Sequence, residues 1–258
     1  MSQDNPVPSR SLSGRVLDVL SVFRVDFPEL TLSEISRRSG LPLTTAHRIV
    51  GQLASRGMLE RSANGTYHIG LKLWEIASLA PRGLRLREIA LPYMEDLCLA
   101  TRENVQLAVR EGAELVFIER LAGRDAVPVL TRVGGRFALH ATGVGLVLLA
   151  YAPPEIQEQV LQGSLESWTP KTITSQAQLR RILADVRQNG CSLSDRQVTM
   201  DSLSVGAPIR ADGDEVIAAL SIVVHYDGAE PRTLAAAVRA AARGISRSLG
   251  APGARIPI

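Results

Sequence analysis

The stretch of the sequence best suited to chemistry is LPLTTAHRIVGQLASRGMLER, residues 41–61. Four apolar residues in it recur with the spacing i, i+3, i+4 and i+7, which is typical of the buried face of an α-helix. They are Ala46, Ile49, Val50 and Leu53. The opposite face carries hydroxyl, amide, imidazole and guanidinium groups, from Thr44, Thr45, His47, Arg48 and Gln52. Such groups can read base edges in a major groove. The spacing predicts a helix from about Pro42 to Arg56 with one face available for recognition.

Positive charge is concentrated around this helix. Residues 37–61 contain five arginines and one acidic residue, whereas the formal net charge of the whole chain is only +3. A local basic surface favours contact with phosphates. We expect Arg38, Arg56 and the Asn64-Gly65 turn to hold a DNA backbone while the helix face reads bases. The alternative is an ordinary solvated helix face that contacts no partner.

Short helices and a hairpin surround this segment. Upstream, TLSEISRRSG has Thr31 and Glu34 at the spacing of a capping box and ends on Gly40. Two helices joined by so short a turn make a helix-turn-helix. GRVLDVLSVF supplies a further apolar helix, and LERSANGTYHIG predicts two short strands around a tight Asn-Gly turn. Residues 13–70 are therefore predicted to form a winged helix-turn-helix, after a disordered tail over residues 1–12.

The remainder of the chain reads as a second, mixed domain. Residues 71–100 are predicted to form linker helices, with a break near Pro81 to Gly83. Over residues 101–250, strand-like runs such as VQLAV, ELVFIERL, LSVGAPI and EVIAALSIVV alternate with helical segments such as GVGLVLLAY and SQAQLRRILADVRQNG. Strands that return through hairpins and are interrupted by helices favour an α+β sheet of the kind found in sensor domains.

The order of these segments resembles the IclR family of bacterial transcriptional regulators. The resemblance rests on LPLTTAHRIVGQLASRGMLER, GGRFALHATGVGLVLLA and GCSLSDRQVTMDSLSVGAPIRADGDEVIAALSIVV. It implies an N-terminal winged helix, a C-terminal effector-binding domain of GAF-like fold, and a homodimer or homotetramer. It further implies a repressor or activator that binds a pseudo-palindromic DNA operator, responds to a small organic acid and needs no cofactor.

The resemblance also implies where an effector would bind. Its contacts would come from the loop at His140, Thr142, Gly143 and Val144, and from three hydroxyl side chains, Ser194, Ser204 and Ser221. A loop that opens a helix exposes amide N–H groups that can hold a carboxylate. Some relatives carry a second hydroxyl where this chain has Val223, so we expect an aromatic or partly apolar acid. The alternative is a tight loop that only packs the core.

Other classes of function are less well supported by the sequence. The residues that could serve an enzyme, His140, Cys191, Asp195 and Asp201, fall in no recognisable catalytic motif, and no metal-ligand spacing is present. We therefore expect neither catalysis nor a metal site. A DNA-binding protein whose second domain only oligomerises remains an alternative, and it would have no ligand pocket. The first residues lack the apolar run of a signal peptide, so a cytoplasmic protein is expected.

Overall fold

The structure is a computed structural model of the 258-residue chain, and it describes residues 11–24, 26–124 and 126–251, without the side chains of residues 81 and 82. The chain divides into two compact units, Met1–Ala80 and Pro81–Ile258. A disordered tail was expected over residues 1–12, and residues 1–10 of it lie outside the described residues. Ser11 caps the first helix, which Leu12 begins. Within the described ranges, no helix is long and apolar enough to cross a membrane.

The described part of the first unit folds as helices followed by a hairpin and a further helix. The elements are α1 (Leu12–Ser21), α2 (Leu32–Ser39), α3 (Leu43–Ser55), β1 (Leu59–Arg61), β2 (Tyr67–Ile69) and α4 (Leu71–Ala77). The predicted capping box is confirmed, because Thr31 Oγ1 accepts from the Glu34 amide while the Glu34 carboxylate accepts from the Thr31 amide. The Thr31 amide and hydroxyl both donate to the Glu34 carboxylate and hold the pKa of Glu34 below its usual value.

A three-residue turn, residues 40–42, joins α2 to α3 and confirms the helix-turn-helix. Gly40 takes a left-handed conformation, with φ of 67°, that a residue with a side chain adopts only at a cost. The hairpin that follows has the tight turn predicted around Asn64-Gly65. The Ser62 amide donates to the Thr66 carbonyl at 2.9 Å, and the Gly65 amide donates back to the Ser62 carbonyl at 3.0 Å. Gly65 takes a left-handed conformation, with φ of 85°.

The core of the first unit lies between α1, α2, α3 and the hairpin. Its buried side chains include Val19, Leu30, Ile35, Ile49 and Leu59. The four residues that we assigned to the buried face of α3 are all buried. Burial of that face fixes the helix and leaves its opposite face exposed to solvent.

The described part of the second unit is built on one six-stranded antiparallel sheet with the order β5-β4-β3-β8-β7-β6. A short π-helical turn at Pro81–Arg85 precedes α5 (Leu86–Thr101). There follow β3 (Asn104–Glu111), β4 (Glu114–Leu121), β5 (Arg136–Ala138), α6 (Gly143–Ala150), α7 (Pro154–Gln162), α8 (Gln176–Asn189), β6 (Ser192–Asp195), β7 (Ser202–Arg210), β8 (Val216–His225) and α9 (Pro231–Ser248).

Both faces of this sheet are covered. On one face α5 and α9 pack over alternate residues of the central strands, including Leu107, Val205 and Leu220. On the other face α6 and α8 pack over Ala108, Phe117 and Ala219. Every residue of α6 is buried, which explains why its sequence, GVGLVLLA, lacks polar side chains. This α+β architecture confirms the fold class expected from the sequence.

Candidate functional site

The exposed face of α3 carries the side chains that the sequence singled out. Thr44, His47, Arg48 and Gln52 are exposed, and Thr45 is half-buried. Among the described residues, none of these side chains makes a hydrogen bond or ion pair with the protein. Thr44, Arg48 and Gln52 follow one another at intervals of four residues, so they lie along one side of the helix. No described residue pairs with these side chains, so they are available to a binding partner.

The side chains expected to hold a DNA backbone are placed around this face in different ways. The guanidinium of Arg38 lies 3.5 Å from the centre of the Phe27 ring, a cation–π contact that fixes its position. Arg56 is exposed at the end of α3. In the hairpin loop Asn64 Oδ1 accepts from the Thr66 amide at 3.1 Å, and this bond orders the turn that contains Gly65.

A narrow cleft in the second unit contains three of the residues expected to contact an effector, namely Thr142, Ser194 and Ser204. The other residues that line it are Gln106, Val129, Leu130, Thr131, Val198, Thr199, Ser202 and Val223. Its free volume is about 400 Å³. None of these side chains is ionisable at neutral pH.

The register of the sheet explains how these residues come together. Gln106, Ser221, Gly206 and Ser192 are paired neighbours across β3, β8, β7 and β6. Asn104, Val223, Ser204 and Ser194 form the next such row, two residues along each strand. Side chains two residues apart on a strand share a face. The two rows therefore form a polar area on a sheet face that is otherwise apolar.

The N-terminus of α6 lies directly on this polar area. A Cβ added to Gly143 would come within 2.5 Å of Ser204 Oγ, and one added to Gly206 would come within 2.6 Å of the Gly143 carbonyl oxygen. Residues without side chains are required for so close an approach. Thr142 caps the helix, since its Oγ1 accepts from the Gly145 amide at 3.0 Å. Thr142 itself lines the cleft, so the cleft lies beside the N-terminus of α6, an end at which the helix dipole favours an anion.

Hydroxyl groups in the two rows fall into two classes. Ser194 Oγ donates to the Ala141 carbonyl and Ser192 Oγ to the Gly143 carbonyl, each at 2.6 Å. In contrast, Ser204 Oγ and Ser221 Oγ are buried and have no hydrogen-bond partner among the described residues. Buried polar groups are nearly always paired, so an unpaired one needs a reason. Ser221 does not itself line the cleft, but it is the cross-strand neighbour of Gln106, which does.

His140 and Val144 lie outside the cleft lining. The Nε2 of His140 is 2.9 Å from the Glu166 carbonyl oxygen, and its ring centre is 5.5 Å from that of Trp168. Burial lowers the pKa of His140, and the bond to Glu166 only partly opposes this shift. Val144 is fully buried in the core beneath α6. Both residues pack the loop, and Gly143, which is also absent from the cleft lining, meets the sheet through its backbone.

Sequence reasoning missed most of the remaining lining. Gln106 is 2 % exposed, and its Nε2 donates to Thr131 Oγ1. The only signal for it was a polar residue within the apolar run VQLAV. The strap, defined here as residues Val127–Thr131, has no regular secondary structure and supplies Val129 and Leu130 to the cleft. Nothing in its composition marked it as a wall of a site.

A larger groove in the second unit is a weaker candidate. Its free volume is about 1830 Å³, and charged residues such as Arg85, Arg110, Asp212 and Glu215 line it. It is open to solvent and contains no buried hydroxyl without a partner. Among the described residues there is also no group of histidine, cysteine and acidic side chains that could hold a metal ion. The narrow cleft is therefore the better candidate for a ligand site.

Protein-family models match both units of the chain. Residues 14–63 match the model of the IclR helix-turn-helix domain. Residues 80–247 match the model of the C-terminal domain of the bacterial transcriptional regulator IclR. The two models together cover the exposed face of α3 and every residue of the cleft.

Individual relatives extend the match over nearly the whole chain. The transcriptional regulator KipR of Bacillus subtilis is 35% identical over 227 residues, 86% of this chain and 91% of that protein. XynR of Escherichia coli is 30% identical over 243 residues, 92% of this chain and 96% of that protein. The solved structure of an IclR homolog from Microbacterium hydrocarbonoxydans, complexed with 4-hydroxybenzoate, has a TM-score of 0.90 and 41% identity, and the match covers 93% of this chain and 99% of that one. The chain therefore belongs to the IclR family of bacterial transcriptional regulators.

Proposed function

We propose that this regulator binds an aromatic monocarboxylic acid in the cleft of its second unit and adjusts DNA binding by its first unit in response. The observation that carries the proposal is the pair of buried hydroxyls, Ser204 and Ser221, that have no partner in the described part of the chain. A bound ligand would compensate their burial by supplying a partner. The relative solved with 4-hydroxybenzoate supports an aromatic acid as that partner.

The lining of the cleft favours an acid with a single charge. Hydroxyl groups and the first amides of α6 can hold one carboxylate without a cationic side chain. Val129, Leu130, Val198 and Val223 supply apolar contact for a ring. A second carboxylate would have to lie against those side chains, and burial of an unpaired charge is strongly unfavourable. We therefore expect benzoates to bind and phthalate, a dianion, to be rejected.

For DNA recognition, we propose that α3 enters the major groove. Thr44, Thr45, His47, Arg48 and Gln52 would contact base edges, and Arg38, Arg56, Asn64 and Gly65 would hold the backbone. A homodimer, alone or within a homotetramer, would place two such helices on a pseudo-palindromic operator whose half-sites lie about 10 base pairs, or a multiple of that, apart. Since the chromosome is the target, we propose a cytoplasmic location.

We propose that the response to the ligand is a difference in affinity between two arrangements of the protein. An effector that binds the DNA-competent and the incompetent arrangement unequally shifts their populations, with coupling of about 1–3 kcal/mol in typical cases. The cleft offers a lining suited to binding but no ionisable group for acid–base or nucleophilic chemistry. Action by binding, without catalysis and without a cofactor, is therefore the function that we propose.

A thermal unfolding screen of the full chain tests the proposal. The panel contains 4-hydroxybenzoate, benzoate, the dianion phthalate and the small keto acid pyruvate. A ligand present at a hundred times its dissociation constant stabilises the folded state by about 2.7 kcal/mol. We expect this stabilisation from the two benzoates and not from phthalate. If phthalate or pyruvate stabilises the protein and both benzoates fail to do so, the assignment of an aromatic monocarboxylate is wrong.

A further inference from the structure

Gln106 stands apart from the other polar residues of the cleft because it lies at the opposite end from the N-terminus of α6. It is on β3, whereas Ser204, which contacts Gly143 at that N-terminus, is on β7, and β8 lies between them. Adjacent strands are about 4.8 Å apart, so the two backbones are separated by roughly 10 Å. Val223, on the strand between them, is apolar and lines the cleft.

The cleft is thus polar at both ends and apolar between them. At one end are the hydroxyl of Ser204 and Thr142, the N-cap of α6, and at the other end are Gln106 and Thr131. Neighbouring Ser221 adds a hydroxyl beneath the middle of the cleft. A ligand that matches this pattern has an apolar ring with a carboxylate on one side and a second polar group directly opposite.

The amide of Gln106 is only half used by the protein. Its Nε2 donates to Thr131 Oγ1, while its Oε1 makes no hydrogen bond with any described residue. A carbonyl oxygen of this kind accepts a hydrogen bond from a hydroxyl group. An unpaired acceptor in a narrow cleft discriminates between ligands, since a ligand without a donor at that place leaves the acceptor unpaired.

The same side chain also helps to close the cleft. The strap is attached to β3 by two hydrogen bonds, from Gln106 to Thr131 and from Asn104 Nδ2 to the Val127 carbonyl at 2.8 Å. Val129 and Leu130 of the strap form part of the cleft wall. An outward movement of the strap would widen the cleft for a ligand, and the bond between Gln106 and Thr131 is the one that lies against the cleft.

We propose that Gln106 determines the specificity of the effector site: its amide accepts a hydrogen bond from a hydroxyl group placed opposite the carboxylate of the ligand, and its bond to Thr131 holds the strap closed in the absence of ligand. The inference rests on the proposed function and deepens it. It predicts that the para-hydroxyl isomer is preferred over unsubstituted benzoate, and over 2-hydroxybenzoate, whose hydroxyl lies beside the carboxylate.

The test is calorimetric titration of the full chain with 4-hydroxybenzoate, 2-hydroxybenzoate and benzoate. A single hydrogen bond of this kind corresponds to a preference of about tenfold in dissociation constant. The wild-type protein should bind 4-hydroxybenzoate about tenfold more tightly than the other two acids. In Gln106→Met, which keeps the length of the side chain, that preference should disappear while benzoate still binds.

Thr131→Val serves as the matched variant, because it removes the bond between strap and sheet but leaves the amide of Gln106 in place. All three acids should bind this variant more tightly by the same factor, and the preference for 4-hydroxybenzoate should persist. Retention of the full preference in Gln106→Met, or its loss in Thr131→Val alone, would overturn the inference and leave the proposed function standing. Failure of all three acids to bind the wild-type protein would overturn both.

Discussion

Replacement of Ser204 by alanine should stabilise the protein without ligand and weaken its binding of an aromatic acid. The Oγ of Ser204 is buried and has no hydrogen-bond partner. A buried polar group left in that state costs about 1–3 kcal/mol. Removal of the hydroxyl recovers part of this cost and forfeits a few van der Waals contacts. We expect a net gain of about 1 kcal/mol in the free energy of unfolding. In a chain of this size, that gain raises the midpoint of thermal unfolding by about 2–4 °C.

Ser194→Ala is a control that should change the free energy of unfolding in the opposite direction. Ser194 is the cross-strand neighbour of Ser204 and lines the same cleft, but its Oγ donates to the Ala141 carbonyl at 2.6 Å. Loss of that bond leaves a buried carbonyl unpaired and should lower the free energy of unfolding by about 1 kcal/mol. The two substitutions remove the same atom from adjacent positions, so their difference isolates the effect of the missing partner.

Chemical denaturation followed by circular dichroism, with and without 4-hydroxybenzoate, measures both effects. Without ligand, Ser204→Ala should unfold at a higher denaturant concentration than the wild type, and Ser194→Ala at a lower one. With ligand, the extra stabilisation should shrink in Ser204→Ala. If Ser204→Ala destabilises the protein as much as Ser194→Ala does, then Ser204 is satisfied within the protein and the argument for a ligand at that hydroxyl fails.

Three further substitutions, at Gly143, His140 and Arg48, test other parts of the two sites. Gly143→Ala should abolish binding of benzoates and lower the melting temperature, because the added Cβ would lie 2.5 Å from Ser204 Oγ; unchanged calorimetric binding would show that α6 is not tightly seated on the sheet. The pKa of His140 is lowered in the folded protein, so the unfolded chain takes up a proton on this residue more readily. The contribution of His140 to the free energy of unfolding should therefore be fully present above pH 6.5 and should decline as the pH falls through that value towards the folded pKa. Denaturation of His140→Gln at both ends of that range should lack this component, and an identical pH dependence would contradict its assignment to His140. Arg48→Ala should weaken binding to operator DNA by about 1–3 kcal/mol if Arg48 reads a base, as measured by fluorescence anisotropy. Arg180→Ala, on the surface of the second unit, should leave binding unchanged, and equal losses in the two variants would indicate a nonspecific effect of charge.

The elements that the sequence predicted well are those whose signals are local. The capping box of α2 and the buried face of α3 depend on spacings within a few residues, and both were confirmed. Strands β7 and β8 are long apolar runs on either side of a turn, so their positions were equally clear. Local patterns of this kind fix an element before any tertiary contact is considered.

Two elements were missed because little in them is buried. Strand β5 has three residues, none fully buried, and α7 has only Leu161 fully buried among its nine residues. Elements at the edge of a fold show weak periodicity, since few of their side chains must face the core. The tight hairpin turn was predictable, because Asn-Gly is a local turn signal, and the Gly65 amide closes the turn by donating to the Ser62 carbonyl.

Most residues that line the cleft could not be predicted from the sequence, because they depend on the register of the sheet. Gln106 and Ser204 line the same cleft because β3 and β7 lie on either side of β8, and no pattern along the chain specifies that order. The serines were named only through resemblance to a family, whereas the difference between bonded Ser194 and unbonded Ser204 is visible only in the structure. The strap has no periodicity at all, so its role as a wall could not be anticipated.

We infer that an aromatic monocarboxylate binds in the cleft with its carboxylate on Ser204. A crystal structure of the full chain grown with 4-hydroxybenzoate is the most direct test. The ring should lie against Val223, with a carboxylate oxygen within hydrogen-bonding distance of Ser204 Oγ. A ligand bound instead in the large groove beside Arg85, with Ser204 Oγ still unpaired, would show that the cleft is not the effector site.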